Sequence, residues 1–294
     1  LVSSVNVWEN IVLPLGLDGR KGIDVAKWNG TIDWAKVKKA GIEFAVLKVI
    51  DKSNKTEESF IRNYAGATAQ GLPVDVYNYL YTTTESSAIT AAKAVVNTLA
   101  GRKVGKVWAD VEDACLKNKS IQLIRIINTY KAVIEAAGYE FGVYTGLSFY
   151  NSYIKPYREY IDCEFWIARY PSTKEMSIMS MPAASKKPSI FHVLWGWQYS
   201  SHGKVPGINS YVDLDICYVE PDSTGKLQST TVYYPRYTGT STSIVAALNA
   251  IGVNSSYANR KLIAKENGIT GYVGSAKQNT QMLALLKTGK LKRV

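Results

Sequence analysis

Short apolar runs alternate with amphipathic stretches from Gly22 to about residue 218. Eight of the runs have the length and the β-branched or aromatic content of strands, and they lie at residues 23–28, 44–49, 74–79, 106–112, 141–145, 165–168, 194–199 and 211–216. Apolar residues at helical spacing separate the first five runs, at residues 33–40, 57–70, 88–99 and 121–134. This alternation is typical of α/β proteins with parallel strands and helices packed outside. We therefore expect a closed TIM-like barrel whose second half has few helices.

A different pattern follows the barrel. Residues 221–232 are rich in turn formers and read as a linker. Beyond the linker, apolar residues repeat at helical spacing over 244–251, 257–267 and 282–286, and a glycine follows each repeat. The sequence thus predicts an N-terminal lead-in at 1–20, a barrel at 21–220, a linker at 221–232 and a small three-helix module at 233–294.

Polar and aromatic residues end most of the predicted strands. In a parallel barrel the functional site lies at the C-terminal ends of the strands, so these residues should converge. The candidates are Asp24, Trp28, Lys48, Tyr77, Tyr79, Tyr81, Asp110, Glu112, Tyr144, Trp166, Gln198 and Asp213. Asp215 lies close to the last of them, but we expect its side chain to point to the opposite side of its strand and to have a structural role.

The fourth strand reads KVWADVE and ends in two carboxylates, Asp110 and Glu112. Residues two apart in a strand share a face, with Cα atoms roughly 6.5 Å apart. Close like charges push the pKa values of two carboxyls apart, so one can hold a proton while the other is ionised, as glycosidic bond hydrolysis requires. Taken alone, the pair also fits a solvated strand end, and the convergence of several strand ends favours a site.

Charge is distributed unevenly along the chain. Of the net charge of +11, residues 233–294 carry nine basic residues against one acid, which is +8, and residues 1–232 carry the remaining +3. A basic module attached to a nearly neutral body indicates a polyanionic partner. The 20 tyrosines against 6 phenylalanines suit wet surfaces that stack on rings, including sugar rings.

Several other chemistries have no support in the residues. The two histidines, His192 and His202, lack metal-ligand spacing, and the three cysteines are too far apart for a paired metal motif. The chain has no GxSxG, P-loop or GxGxxG motif, so no cofactor is implied. No apolar run reaches the ~18 residues that a membrane span needs. The chain begins at Leu1, and we expect an upstream segment such as a secretory signal to have been removed.

An ordered set of motifs resembles glycoside hydrolase family 25, the muramidases that cut peptidoglycan. The motifs are GIDVAKWNG at 22–30, VYNYLY at 76–81, WADVE at 108–112, FGVYTG at 141–146, FWIARY at 165–170 and WQYSSHGKVPGINSYVDLD at 197–215. The resemblance spans roughly residues 21–218 and implies an irregular (β/α)5(β)3 barrel. It also implies cleavage of the β-1,4 bond between N-acetylmuramic acid and N-acetylglucosamine, with retention assisted by the substrate's 2-acetamido group.

Roles for the candidates follow from the same resemblance. Glu112 would be the catalytic acid, its pKa raised by burial and by Asp110, and Asp110 would stabilise charge at the anomeric centre. Asp24 and Asp213 would form a hydrogen-bonded shell that tunes Glu112 and holds the sugar. The residues expected to bind substrate are Trp28, Lys48, Tyr77, Tyr79, Tyr81, Tyr144, Trp166 and Gln198.

The chain departs from the family pattern at several positions, which leaves rival functions open. Ala26 and Asn29 replace the usual Ser and Gln, KVIDK at 48–52 replaces a KASEG-like segment, and Asn78 stands where His is common. These changes keep open a carbohydrate-binding barrel without turnover. A chitinase-like hydrolase is a second rival, although the acidic residues that precede DxE in chitinases are missing here.

The basic module at 233–294 is expected to bind the cell wall, with teichoic acids or other wall polyanions as ligands. A stabilising or dimerising appendage is the alternative, and nucleic acid is not expected because no recognised reading motif accompanies the charge. Peptidoglycan as the partner implies a secreted or wall-associated enzyme of a bacterium, or a phage endolysin.

Overall fold

The structure is a computed structural model that describes residues 19–218 and 233–292, except 252 and 254. Most of the predicted lead-in at 1–20 and all of the predicted linker at 221–232 lie outside the described residues. Within the described part, the predicted barrel and the predicted C-terminal helices are both present.

Across the described residues, nine strands form one sheet that closes on itself. They are β1 (Arg20–Val25), β2 (Phe44–Lys48), β3 (Val74–Tyr79), β4 (Lys106–Asp110), β5 (Glu140–Gly146), β6 (Glu164–Ala168), β7 (Met176–Ser177), β8 (Leu194–Lys204) and β9 (Val212–Cys217). Strands β1 to β6 are parallel and in sequence order, β8 pairs in parallel with β6, and β9 joins β8 to β1 in the antiparallel direction. Within the part of the chain that the structure describes, the short β7 pairs only with β8. The closed eight-strand barrel that the alternation predicted is therefore confirmed.

The helices cover the outside of the first half of the barrel. They are α1 (Trp34–Lys39), α2 (Phe60–Ala69), α3 (Glu85–Leu99) and α4 (Ile121–Ala136), and each lies between two of the first five strands. Between β5 and β6 the chain forms only the single turn α5 (Leu147–Phe149), a π turn and a 3-10 stretch. As expected, the second half has few helices.

Two element boundaries differ from the pattern for physical reasons. Helix α2 begins at Phe60 rather than at 57, because the buried Glu57 carboxylate accepts hydrogen bonds from the backbone N–H groups of Lys27 and Ser59 at 2.8 Å each. Strand β1 ends at Val25 rather than 28, because residues 27–29 form a 3-10 turn.

Aromatic side chains fill the barrel interior beneath its C-terminal mouth. The Trp108 and Trp195 rings lie 4.5 Å apart, and the Trp108 and Trp166 rings lie 5.9 Å apart, all of them buried. Gly142 makes room for this layer, since a Cβ built there would lie 2.2 Å from the Trp108 ring. The layer forms a rigid floor for the polar residues above it.

The C-terminal helices are α6 (Ile244–Ala250), α7 (Tyr257–Glu266) and α8 (Ala276–Lys287). Each begins at a serine whose hydroxyl accepts a backbone N–H, which is the usual N-cap arrangement. Their apolar faces share a core of their own, which includes Tyr234, Leu248, Ile263, Met282 and Leu286. Tyr234 N–H donates to the Leu291 carbonyl at 2.9 Å and joins the two ends of this module. Of the helices in the described ranges, none has the length and apolar character to cross a bilayer.

Candidate active site

The first and last strands bring carboxyl groups together at the C-terminal mouth. Because β9 is antiparallel to β1, Asp213 near its start pairs in register with Asp24 near the end of β1. Asp215 lies two residues further along β9 and is fully buried, and its Oδ1 accepts a hydrogen bond from Trp166 Nε1 at 2.9 Å.

The expectation that Asp215 points to the opposite side of its strand from Asp213 is wrong. Side chains two residues apart in a strand lie on the same face. Both carboxyls are accordingly close to Asp24, which is within hydrogen-bonding reach of each of them. Asp215 is thus the lowest member of a continuous row of three acids.

This row holds protons that ordinary carboxyls would lose at neutral pH. Burial raises the pKa of Asp24 well above its usual value, and the charge of Asp215 adds to the rise. Burial followed by the charge of Asp24 raises the pKa of Asp213 to about 9. Two carboxyls can hydrogen-bond to each other only when one of them is protonated, so the row shares protons among its members.

Strand β4 brings the second group of carboxyls. Asp110 is buried, and its Oδ1 has no hydrogen-bond partner among the described residues. The pairing of β4 with β5 continues beyond Asp110, because Val111 N–H donates to the Tyr144 carbonyl at 2.8 Å. Glu112 is half-buried and therefore follows Asp110 on the inner face of an extended chain.

Glu112 has the electrostatic setting of a proton donor, with one change from expectation. Burial raises its pKa, and the charge of Asp113 adds to the rise, whereas the sequence had suggested Asp110 as the second cause. Asp113 stays ionised because its carboxylate accepts the Cys115 backbone N–H, which lowers its pKa. Burial and the charge of Glu112 raise the pKa of Asp110 well above its usual value.

Gln198 on β8 connects the acids to two tyrosines. Its Nε2 donates to Asp24 Oδ2 at 2.7 Å, and its Oε1 accepts from Tyr144 Oη at 2.7 Å and from Tyr170 Oη. These bonds fix which end of the amide faces Asp24. Tyr170 was not among the sequence candidates, although it ends the FWIARY segment just beyond β6 and could have been found by the same rule that selected the other strand ends.

Aromatic residues and a lysine line one side of the mouth. The Tyr79 and Tyr81 rings lie 4.8 Å apart, and Lys48 Nζ lies 5.9 Å and 5.7 Å from the ring centroids of Tyr77 and Tyr79. Tyr79 Oη donates to the Asp113 carboxylate at 3.3 Å. The structure thus brings Lys48 and the three tyrosines together, as the strand ends predicted.

The aromatic candidates differ in how far their side chains are exposed to solvent. Trp28 is 79% exposed on the turn after β1, and Tyr81 is 37% exposed, so both offer a ring face to a ligand. Trp166 is 1% exposed and packs 4.4 Å from the Tyr144 ring below the mouth, where no sugar can reach it. Its position supports the acids from beneath and does not fit the platform expected from the sequence.

The residues that depart from the family pattern have structural partners. Asn78 is buried and its Nδ2 donates to Tyr130 Oη at 3.2 Å, so it faces helix α4 rather than the mouth. Asn29 accepts the Ala26 N–H at 2.9 Å and donates to the Tyr211 carbonyl at 3.1 Å. Neither substitution removes a group from the row of acids. Across the described residues, no cluster of three or more His, Cys, Asp or Glu side chains is suited to holding a metal ion.

Two lysozymes are similar to this chain in sequence. The chain is 26% identical to "Lysozyme M1" of Streptomyces globisporus over 215 residues, 70% of each chain. It is 30% identical to the "Autolytic lysozyme" of Clostridium acetobutylicum over 200 residues, which are 66% of this chain and 55% of that protein.

Solved structures share the fold of the barrel, and a family model matches its sequence. The bacterial lysozyme from Streptomyces coelicolor matches with a TM-score of 0.51 at 24% identity, over 68% of this chain and 92% of that one. The modular autolysin LytC from Streptococcus pneumoniae, solved with a synthetic peptidoglycan ligand, matches with a TM-score of 0.56 at 24% identity, over 68% and 47%. The model of glycosyl hydrolases family 25 matches residues 23–208. The chain therefore belongs to glycosyl hydrolases family 25 and is a glycoside hydrolase of the lysozyme type.

Proposed function

We propose that the chain hydrolyses peptidoglycan at the β-1,4 bond between N-acetylmuramic acid and N-acetylglucosamine, with retention of configuration. The observation that carries the proposal is the convergence of Glu112 and Asp110 with the buried Asp24 and the half-buried Asp213 at one barrel mouth. The lysozyme relatives and the autolysin solved with a peptidoglycan ligand support this choice of polymer.

Glu112 is the proton donor in this mechanism. Its side chain is half-buried, so it can meet both solvent and the glycosidic oxygen, and its raised pKa favours the protonated acid. Protonation of the leaving oxygen breaks the bond at the anomeric carbon. The deprotonated Glu112 then accepts a proton from the water that completes hydrolysis.

Asp110 stabilises the positive charge that develops at the anomeric carbon. Its buried Oδ1 has no partner within the described chain, so it is available to a group that the substrate brings. In a substrate with a 2-acetamido group, the amide oxygen attacks the anomeric carbon and the amide N–H donates to Asp110. The resulting oxazolinium ion is cationic. Its charge and that of Lys48 oppose the burial that raises the pKa of Asp110, so the ionised Asp110 carboxylate stabilises the cation.

Asp24, Asp213 and Gln198 form the shell around this pair. Gln198 fixes Asp24 through a 2.7 Å hydrogen bond, and the row of acids keeps enough protons to avoid several adjacent negative charges. This arrangement lets the shell both donate hydrogen bonds to sugar hydroxyls and accept them.

One assay separates this function from its two rivals. Release of reducing ends is measured from purified peptidoglycan and from chitin, for the parent protein and for Glu112→Gln. We expect release from peptidoglycan only, and a loss of about 10²–10⁴-fold in Glu112→Gln. A parent protein that releases nothing supports the carbohydrate-binding barrel, and release from chitin alone supports the chitinase-like rival.

The bond and the stereochemistry have their own readouts. Borohydride reduction of the products followed by acid hydrolysis should yield muramitol, because muramic acid carries the new reducing end, and glucosaminitol in its place would contradict the assigned bond. Early proton NMR of the products should show the β anomer before mutarotation. The α anomer appearing first would exclude retention.

The C-terminal module is proposed to hold the barrel at the wall. Residues 233–294 carry a net charge of +8, and the module has a hydrophobic core of its own. Tethering raises the local concentration of the barrel at its polymer. Pelleting with purified walls should be strong for residues 233–294 at low salt and weaker once teichoic acid is stripped. Absence of pelleting at low salt would contradict the wall-binding role.

A further inference from the structure

A pocket of about 400 Å³ lies beside the catalytic mouth, within the range of ~300–1,000 Å³ that is usual for small-molecule sites. It is formed by the turn after β1 and by the loop after β2. Three lysines line it, together with three acids and the exposed rings of Trp28 and Tyr81. The charged residues are Lys27, Lys48, Lys52, Asp51, Glu57 and Glu58.

The acids of this pocket are largely occupied by the chain itself. Asp51 Oδ1 accepts the backbone N–H groups of Ser53 and Lys55 at 2.8 Å and 2.9 Å. Both oxygens of Glu57 accept hydrogen bonds from the backbone or from the Ser59 hydroxyl. These two carboxylates shape the loop, and neither takes part in an ion pair among the described residues.

The lysines of the pocket differ in whether they form an ion pair. Lys27 Nζ lies 3.7 Å from the Glu58 carboxylate. Lys48 and Lys52 take part in none of the ion pairs found across residues 19–218 and 233–292, and each ammonium lies near an aromatic ring instead. Lys52 Nζ lies 4.7 Å from the Tyr81 ring centroid. The pocket thus has two ammonium groups available to an incoming anion.

The pocket adjoins the catalytic centre through Lys48 and Tyr81. Tyr81 lines the pocket, and its ring lies 4.8 Å from the Tyr79 ring. The Tyr79 hydroxyl in turn donates a hydrogen bond to Asp113, which is next to Glu112 in the chain. Lys48 also lines the pocket, and its charge opposes the burial that raises the pKa of Asp110. A substituent on a sugar bound at the catalytic mouth can therefore reach this pocket.

We propose that this pocket is a subsite for the acidic peptide stem of N-acetylmuramic acid, with Lys48 and Lys52 binding a stem carboxylate and Trp28 and Tyr81 flanking the peptide. This inference rests on the proposed function. The glycan backbone of peptidoglycan is uncharged apart from the lactyl group and the peptide attached to it. A pocket that presents unpaired ammonium groups and apolar ring faces matches such a stem rather than a bare sugar.

The test uses the full chain carrying Glu112→Gln, so that ligands are not cleaved. Calorimetry at pH 7 and low salt compares two tetrasaccharides of alternating N-acetylglucosamine and N-acetylmuramic acid. One carries L-Ala-D-Glu stems with free carboxylates, and the other carries the same stems as neutral amides. We expect the charged ligand to bind about 5-fold more tightly, with the difference shrinking as salt is added.

Two further variants locate the effect. In the Glu112→Gln background, Lys52→Gln should abolish most of the preference for the charged ligand. Lys55→Gln makes the same change of charge in the same loop but outside the pocket, and it should keep the preference. Both side chains are exposed, so neither substitution endangers folding.

The outcomes separate this inference from the proposed function. Equal binding of the two ligands, or equal effects of Lys52→Gln and Lys55→Gln, overturns the subsite while the parent enzyme still releases reducing ends from peptidoglycan. Binding of neither ligand, together with a parent enzyme inactive on peptidoglycan, overturns both.

Discussion

The indole Nε1 of Trp166 donates a 2.9 Å hydrogen bond to Asp215 Oδ1, and both side chains are buried inside the barrel. This bond joins the aromatic floor to the row of acids above it. Asp215 in turn is within hydrogen-bonding reach of Asp24. The catalytic mouth is thereby anchored to the core through a polar contact, in addition to the packing of rings.

Trp166→Phe should destabilise the barrel by more than the loss of ring area alone. The substitution leaves a buried Asp215 oxygen without its donor, at a cost of about 1–3 kcal/mol. Trp195→Phe is the matched control, because Trp195 is equally buried and its Nε1 has no partner in the described structure. Urea unfolding should show a larger loss for Trp166→Phe, and equal losses would contradict the importance of this bond.

Asp113→Asn should move the basic limb of the pH profile of kcat/KM to lower pH. The charge of Asp113 contributes to the raised pKa of Glu112, so its removal lowers that pKa. Since Glu112 acts as the protonated acid, activity is then lost at a lower pH. The shift should be about 0.2–0.7 pH units and should diminish with salt. Asp162→Asn, an exposed change far from the mouth, is the control, and an identical profile for all three proteins would exclude this coupling.

Asp213→Asn should stabilise the fold at neutral and mildly alkaline pH while it impairs catalysis. The folded-state pKa of Asp213 is raised to about 9, above that of an unfolded chain near ~3.9, so the folded state holds a proton that the unfolded state releases. Stability therefore falls as pH rises between these two values. The Asn variant lacks that dependence, and since one proton changes the free energy of unfolding by about 1.4 kcal/mol per pH unit, it should gain about 4 kcal/mol between pH 5 and pH 8 relative to the parent. Thermal unfolding at several pH values measures the gain, and parallel curves would disprove it.

Much of the barrel follows from local pattern. Strand β3 has the predicted bounds, Val74–Tyr79, because a short alternating run between two glycine-terminated helices is typical of a strand. Asp213 reaches the mouth near the start of the antiparallel strand β9, but the convergence of Asp24 and Asp110 required nothing beyond parallel strands and their C-terminal ends. Each of these inferences uses only the spacing of apolar residues and the order of the strands along the chain.

The rest depended on contacts across the barrel. Gln198 acquires its role from Asp24, Tyr144 and Tyr170, which lie on or beside different strands, so no local pattern reveals it. Glu57 fits a helical pattern, yet its carboxylate is held by a backbone N–H 30 residues away. Trp166 resembled a sugar platform because sequence cannot show how deep in the barrel a side chain lies.

Gly142→Ala should destabilise the barrel, because the aromatic floor leaves no room for a methyl group on β5. The added Cβ would lie 2.2 Å from the Trp108 ring, which is buried among other rings and cannot move away. Such overpacking costs about 1–3 kcal/mol. Gly146→Ala is the matched control on the same strand, since no atom lies within 4 Å of a Cβ there and its φ is −67°. Chemical unfolding of the two variants should show a clear loss for Gly142→Ala and little change for Gly146→Ala. A larger loss of stability in Gly146→Ala than in Gly142→Ala would contradict the tight packing of the Trp108 ring against β5.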